Sequence, residues 1–216
     1  MPHRAIVFDF DGVLVDSEPA HGRGLAVAAA MLGMEIREPN PRWYVGLGDT
    51  ECFERIAASH GRSLDAGQLA MLIRSKAEAF STASREGFIR LYPGAEKLVQ
   101  AAALVGPVAL CSGSHARDIH PLLHSLGIAE CFRTVVTADD VARNKPHPDG
   151  YLLAAERLDV DPSDCITIED SPAGIAAARA AGYRVVAVCH SFPADRLAEA
   201  HEIRETIGAA APLVLG

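Results

Sequence analysis

Ala5-Ile6-Val7-Phe8-Asp9-Phe10-Asp11-Gly12 is a short apolar run that ends on two carboxylates and a glycine. Its first four residues do not alternate with polar ones, which suits a strand buried on both faces of a parallel sheet. Four later stretches are built the same way, at 107–111, 134–137, 165–168 and 184–188. Helical patterns over 95–105, 115–126, 148–158 and 172–181 separate them, the last stopped by Gly182. Strand alternating with helix predicts a doubly wound α/β domain around a parallel sheet.

The first interval breaks that rhythm. About 98 residues separate Phe8 from Pro107, far more than one crossover needs. Helical patterns over 19–32, 50–60 and 66–85 fill much of it, with turn residues at Glu38-Pro39-Asn40-Pro41 and Gly46-Leu47-Gly48-Asp49. The expected division is an α/β core at 1–16 and 87–216, and a small all-helical domain at 17–86. Its hinges are expected at 16–19 and 87–93.

Composition narrows the function. With 216 residues, 49% hydrophobic and 22% charged, the chain reads as globular rather than disordered. A net charge of −8 argues against a broad surface for nucleic acid or anionic membrane. The stretch before Asp9 is too short for a secretory signal core, and no apolar run reaches membrane-spanning length. Cys52, Cys111, Cys131, Cys165 and Cys189 form no C-x-x-C pair, so neither a zinc site nor a disulfide framework is expected. The expectation is a cytoplasmic protein, with a monomer as the default. Of its 20 Lys and Arg residues only Lys76, Lys97 and Lys145 are Lys.

The strand ends carry the chemistry. In a doubly wound sheet, ligands bind at the carboxyl ends of the strands. Asp9 and Asp11 follow the first strand, and two carboxylates facing one small volume ask for a cation or a shared proton. Ser112-Gly113-Ser114 follows the second and opens a helix, a natural place for an anion and equally a plain N-cap. Lys145 follows the third strand, where a compact ammonium suits an oxyanion. Glu169-Asp170-Ser171-Pro172 follows the fourth. Ser171 and Pro172 read as a helix start, which leaves the two acids unexplained. Four acids at one sheet end suit Mg²⁺, and the combination points to phosphoryl chemistry.

These residues resemble the haloacid dehalogenase superfamily, in its Mg²⁺-dependent phosphatase and phosphomutase branch. The run from Asp9 to Ser17 is similar to the family's first motif and Ser112 to the second. Lys145-Pro146 is similar to the third, and Glu169-Asp170-Ser171 with Gly174 to the fourth. The helical insertion resembles that branch's cap, which closes over a small substrate. The resemblance implies that Asp9 attacks phosphorus to form an aspartyl-phosphate and that Asp11 is the acid and base. It implies Mg²⁺ held by Asp9, the Asp11 carbonyl and Asp170, with Glu169 in or beside the shell. Ser112, the Gly113 amide and Lys145 would hold phosphate oxygens. Asp11 argues against dehalogenase activity, and the cap has no clear counterpart of the phosphonate hydrolases' Lys.

The β-phosphoglucomutase branch is similar too, including a cap His matched by His21 and a cap Lys matched by Lys76. That branch carries an Arg near the cap loop for a second phosphate, where this chain has Asp49. His21, Asp49 and Lys76 are therefore candidate substrate contacts. The expected activity is hydrolysis of small phosphomonoesters such as sugar phosphates or phosphoglycolate, with a hexose-phosphate mutase as the alternative. A receiver-type phospho-accepting module would place acids and a Lys similarly, without the helical insertion.

Overall fold

The structure is a computed structural model that describes residues 4–38, 40, 43–45 and 47–216. Pro39, Pro41 and Gly46, named among the turn residues above, lie outside the described residues. The chain divides into two compact units, Met1–Asp16 with Arg90–Gly216, and Ser17–Ile89.

The first unit is α/β. Its strands are β1 (Ala5–Phe8), β2 (Val15–Asp16), β3 (Arg90–Leu91), β4 (Val108–Cys111), β5 (Thr134–Val136), β6 (Cys165–Glu169), β7 (Arg184–Val188) and β8 (Glu202–Arg204). Six of them form one parallel sheet in the order β5-β4-β1-β6-β7-β8. Every residue of β1, β4 and β6 is buried, which is why these runs are continuously apolar rather than alternating. From β1 the chain moves outward to β4 and β5, then returns to β6 on the other side of β1. The strand order therefore reverses at β1, and ligands of such sheets gather where it does.

The helices are α1 (Glu18–Ala30), α2 (Asp49–Ser59) and α3 (Ala66–Arg85), then α4 (Ala95–Val105), α5 (Ala116–Ser125), α6 (Asp149–Leu158), α7 (Pro172–Ala180) and α8 (Ile207–Leu215). Ala5 and Val7 of β1, with Cys111, Val136 and Val185, pack under Tyr151, Ala154 and Ala155 of α6 and Ile175 and Ala178 of α7. Alternate residues such as Ile6 and Phe8 point to the opposite face. Helix α8 packs against α4 and against β6, β7 and β8. None of the described helices is long and apolar enough to cross a membrane.

Two features of this unit have no counterpart among the expected elements. Strands β2 and β3 form a two-stranded antiparallel ladder, Val15 opposite Leu91 and Asp16 opposite Arg90, where turn-like hinges were expected. Two-residue strands are too short to leave a periodic signature. At the other end of the chain, β8 and α8 add an edge strand and a last helix. Glu202-Ile203-Arg204 reads as polar, and Pro212 lies inside α8, so neither stretch shows its pattern in the sequence.

The second unit consists of α1, α2 and α3 around its own apolar cluster. Leu25, Ala28 and Ala29 of α1 meet Phe53, Ile56 and Ala57 of α2, Leu72 of α3 and Trp43. Gly24 lets α1 approach α3 closely, since a Cβ there would meet the Lys76 carbonyl at 3.1 Å. Asp65 caps α3 reciprocally with Gln68, the two side chains bonding each other's backbone amides.

Candidate active site

The first acidic turn is built tightly. Past β1, the Asp9 amide still donates to Ile168 O at 3.1 Å, extending the pairing with β6. The chain then folds back, and the Phe10 carbonyl receives the amides of Val13, Leu14 and Val15. Gly12 takes φ +75, and a Cβ there would collide with Asp170 Oδ2 and Ser191 Oγ. A glycine is required both by the left-handed backbone and by the crowding.

Four of the sequence-nominated side chains meet at this point. Oxygens of Asp9, Glu169 and Asp170 all lie within 4.8 Å of one another. Lys145, from the loop between β5 and α6, reaches in with its ammonium. Lys145 Nζ donates to Asp9 Oδ1 at 2.5 Å, to Glu169 Oε1 at 2.7 Å and to the Cys111 carbonyl at 3.0 Å. All of these side chains are buried or nearly so.

Electrostatics shows what such a cluster lacks. Burial, opposed by Lys145 and reinforced by Glu169 and Asp11, pushes the Asp9 carboxyl up to about 7. Burial, with Asp9 and Glu169 beside it, holds Asp170 well above the usual carboxylate range. Lys145 is driven the other way: burial opposes its charge, but Asp9 and Glu169 outweigh that and raise it well above an ordinary lysine. Three carboxylates against one ammonium leave two formal negative charges in a buried volume. That is the charge of one divalent cation, and hard oxygen donors suit Mg²⁺. The donor set therefore fits such an ion.

The other nominated residues of the α/β unit lie in the adjoining loop. Asp11 Oδ2 accepts from Ser114 Oγ at 2.8 Å, while Ser112 Oγ accepts from the Ser114 amide at 3.0 Å. The loop after β4, including Gly113, is thus tied to the acidic turn after β1. Ser171 caps α7 by accepting from the Gly174 amide at 3.1 Å, and Pro172 opens that helix. The two acids before them do what the cap alone leaves unexplained: Asp170 enters the carboxylate cluster and Glu169 meets Lys145.

Tyr151, Ser191 and His190 join the site without having been nominated, and Ser114 of the Ser112-Gly113-Ser114 turn takes a specific part in it. Tyr151 on α6 donates to Glu169 Oε1 at 2.6 Å. Ser114 holds Asp11. Ser191 donates to Asp170 Oδ2, and its neighbour His190 pairs through Nδ1 with the Gly12 carbonyl at 2.8 Å. Ser191 follows β7, so the strand-end argument used for the other motifs would have found it. Tyr151 carries no local signal, because its importance comes from a contact 18 residues away.

In the helical unit, His21, Asp49 and Lys76 line one cavity of about 290 Å³, together with Glu18, Tyr44 and Cys52. Lys76 Nζ donates to Asp49 Oδ1 at 2.6 Å, with the lysine side chain only 12% exposed. The His21 ring stacks on Phe80 at 4.4 Å. Lys97, the third lysine, enters none of these contacts.

A family model described as haloacid dehalogenase-like hydrolase matches residues 3–182. The chain belongs to the haloacid dehalogenase-like hydrolases. Among relatives in this family, the fructose-1-phosphate phosphatase YqaB of Escherichia coli (strain K12) is 31% identical over 193 residues, covering 86% of this chain and 96% of that protein. The solved structure of CbbY from Rhodobacter sphaeroides in complex with phosphate superposes with a TM-score of 0.81 at 28% identity, covering 96% of each chain. β-Phosphoglucomutase from Clostridium difficile superposes at 0.76 with 25% identity, over 95% of this chain and 92% of that one. The protein is an enzyme of the haloacid dehalogenase-like hydrolase family, with a Rossmann-like core.

Proposed function

We propose that the enzyme hydrolyses small phosphomonoesters, such as sugar phosphates or phosphoglycolate, through an aspartyl-phosphate on Asp9. The observation that carries this reading is the meeting of Asp9, Asp170 and Lys145 at the carboxyl ends of β1 and β6. A carboxylate there is placed to attack phosphorus, and splitting the displacement into two steps lowers the barrier of each. Asp11, held by Ser114, would give its proton to the departing alcohol and later accept one from the attacking water. Ser112, the Gly113 amide and Lys145 would hold the phosphoryl oxygens as charge shifts between them.

Mg²⁺ would be held by Asp9, the Asp11 carbonyl and Asp170, and would supply charge stabilisation of the phosphoryl oxygens. Five free cysteines are compatible with work in the cytoplasm. His21, Asp49 and Lys76 are the proposed substrate contacts of the helical unit. Lys76 arrives there already paired with Asp49, so the cavity offers little net charge to a second phosphate. That pair favours monoester hydrolysis over the mutase alternative, which needs a bisphosphate. Similarity to a fructose-1-phosphate phosphatase supports a sugar phosphate as substrate.

The deciding measurement is phosphate release across sugar phosphates and phosphoglycolate, with and without Mg²⁺. Activity is expected with the metal only, and none is expected in Asp9→Asn. Turnover surviving that substitution would sink the mechanism. Conversion of β-glucose 1-phosphate to glucose 6-phosphate outrunning hydrolysis would establish the mutase instead.

A further inference from the structure

Among the acids of the cluster, Glu169 is the one whose oxygens are already engaged. Oε1 accepts from Lys145 Nζ at 2.7 Å and from Tyr151 OH at 2.6 Å. Oε2 accepts from the Asp170 amide at 3.1 Å and from Ser171 Oγ at 3.3 Å. An ionised carboxylate offers about four lone-pair positions, and these four donors fill them. The side chain is fully buried, and α7 lies against it at Gly174, where a Cβ would overlap the carboxylate. A cation bonded to Glu169 would have to displace one of these donors.

Lys145 is the complement. Its ammonium carries three protons, and these go to Glu169, the Cys111 carbonyl and Asp9. With two directions fixed by Glu169 and a backbone carbonyl, the third is aimed at Asp9. Tyr151 fixes the fixer. It is 0% exposed, so its hydroxyl has Glu169 rather than water as its acceptor. Its backbone carbonyl is in turn held by Tyr183 OH at 2.7 Å, and its ring lies 5.2 Å from Lys145 Nζ.

We infer that Glu169 is the anchor of Lys145 rather than a ligand of the metal, and that Tyr151 is a positioning residue which acts through Glu169 to aim that ammonium at Asp9. The inference rests on the proposed reaction, in which Lys145 meets phosphoryl oxygens.

Calorimetry on the full chain separates the two partners of the site, using Mn²⁺ alone and then inorganic phosphate with Mg²⁺ present. In Tyr151→Phe the phosphate dissociation constant should rise about tenfold, as for other groups that orient site residues, and kcat should fall with it. Its Mn²⁺ affinity should stay within about twofold of the wild type, because the one lost group, an uncharged hydroxyl, touches Glu169 and neither Asp9 nor Asp170. Glu169→Gln should lose more phosphate affinity, and the double variant should be no worse than Glu169→Gln. The Mn²⁺ affinity of Glu169→Gln should fall about tenfold less than that of Asp170→Asn, since each removes one charge but only Asp170 is a proposed ligand. A purely structural role for Tyr151 would lower Tm and leave the phosphate affinity of the folded protein unchanged. That result overturns the inference, as does a loss of Mn²⁺ affinity in Glu169→Gln as large as that in the equally charged variant Asp170→Asn. If Glu169→Gln does not fold, the two Tyr151→Phe affinities decide. Wild-type protein that binds phosphate but hydrolyses no ester would refute the proposed reaction, while the calorimetry still reports on Tyr151.

Discussion

Gly174 lies against the Glu169 carboxylate so closely that a Cβ on it would overlap both carboxylate oxygens. Glycine in the first turn of α7 is unfavourable by about 1 kcal/mol relative to alanine on helix propensity alone. Gly174→Ala should therefore stabilise α7 if propensity decides, and disrupt the Glu169 contacts if crowding decides. Crowding wins by a wide margin, because the displaced group is a buried carboxylate with four donors. The variant is expected to show a lower Tm in thermal denaturation and at least a tenfold loss of phosphate release. A Tm at or above that of the wild type would contradict the packing described for α7.

Removing a metal should be visible without any substrate. A cation bound only by the folded state at 100 times its dissociation constant stabilises by about 2.7 kcal/mol, a rise in Tm of roughly 5–10 °C for a chain of this size. Mg²⁺ is expected to raise Tm by such an amount and chelation to reverse it. In Asp170→Asn the shift should disappear. Without Mg²⁺ that variant should be at least as stable as the wild type, since a buried, repelled charge is gone.

The Ser114–Asp11 hydrogen bond predicts a dependence on the leaving group. If Ser114 orients the proton donor, its loss matters most for an alkoxide that needs protonation and little for p-nitrophenolate. Ser114→Ala should slow release from a sugar phosphate about tenfold or more and p-nitrophenyl phosphate much less. Ser114→Thr should restore most of the difference. Equal losses on both esters would assign Ser114 to phosphate binding instead.

Freeing Lys76 should change selectivity. In Asp49→Asn the ammonium loses its ion pair and becomes available to an anion in the cavity of the helical unit. The ratio of KM values for a sugar bisphosphate and the corresponding monophosphate should fall about five- to tenfold, near the worth of one charge-assisted contact. An unchanged ratio would remove Lys76 and Asp49 from the substrate contacts.

His201 gives a pH dependence of stability away from the site. Its Nδ1 accepts from the Val185 amide at 3.0 Å, which requires that nitrogen to be unprotonated. Burial, with Arg179 and Arg184 nearby, lowers its pKa below the ordinary 6.5. Below pH 6.5 the unfolded chain then binds more protons than the folded one, so stability is lost as pH falls from 6.5 through the folded value. Tm measured down that range should fall more steeply in the wild type than in His201→Ala, and parallel curves would contradict the assignment.

What could be read from the sequence follows from how local each signal is. Strands β1, β4, β6 and β7 are continuous apolar runs because the sheet buries both faces, and helix breakers mark their partners. Asp9, Glu169 and Asp170 stand at strand ends, so topology gathers them, and Lys145 comes from the loop that follows β5 on the same side of the sheet. Tyr151 and Ser114 work through contacts 18 and 103 residues away in the chain, and no periodicity reports such a meeting. Asp49 illustrates a third case. Its charge is plain in the sequence, but only the folded helical unit reveals that it neutralises Lys76.

The ladder of β2 and β3 has a consequence for how this chain can change. Asp16 and Arg90 are paired neighbours on adjacent strands, so the helical segment leaves and rejoins the α/β unit at one place. Excising it would leave two strand ends that an ordinary hairpin turn can join. A segment attached in this way can be replaced, lengthened or exchanged without rethreading a single strand of the sheet that carries Asp9. The two stretches of the polypeptide are thereby free to change independently of one another.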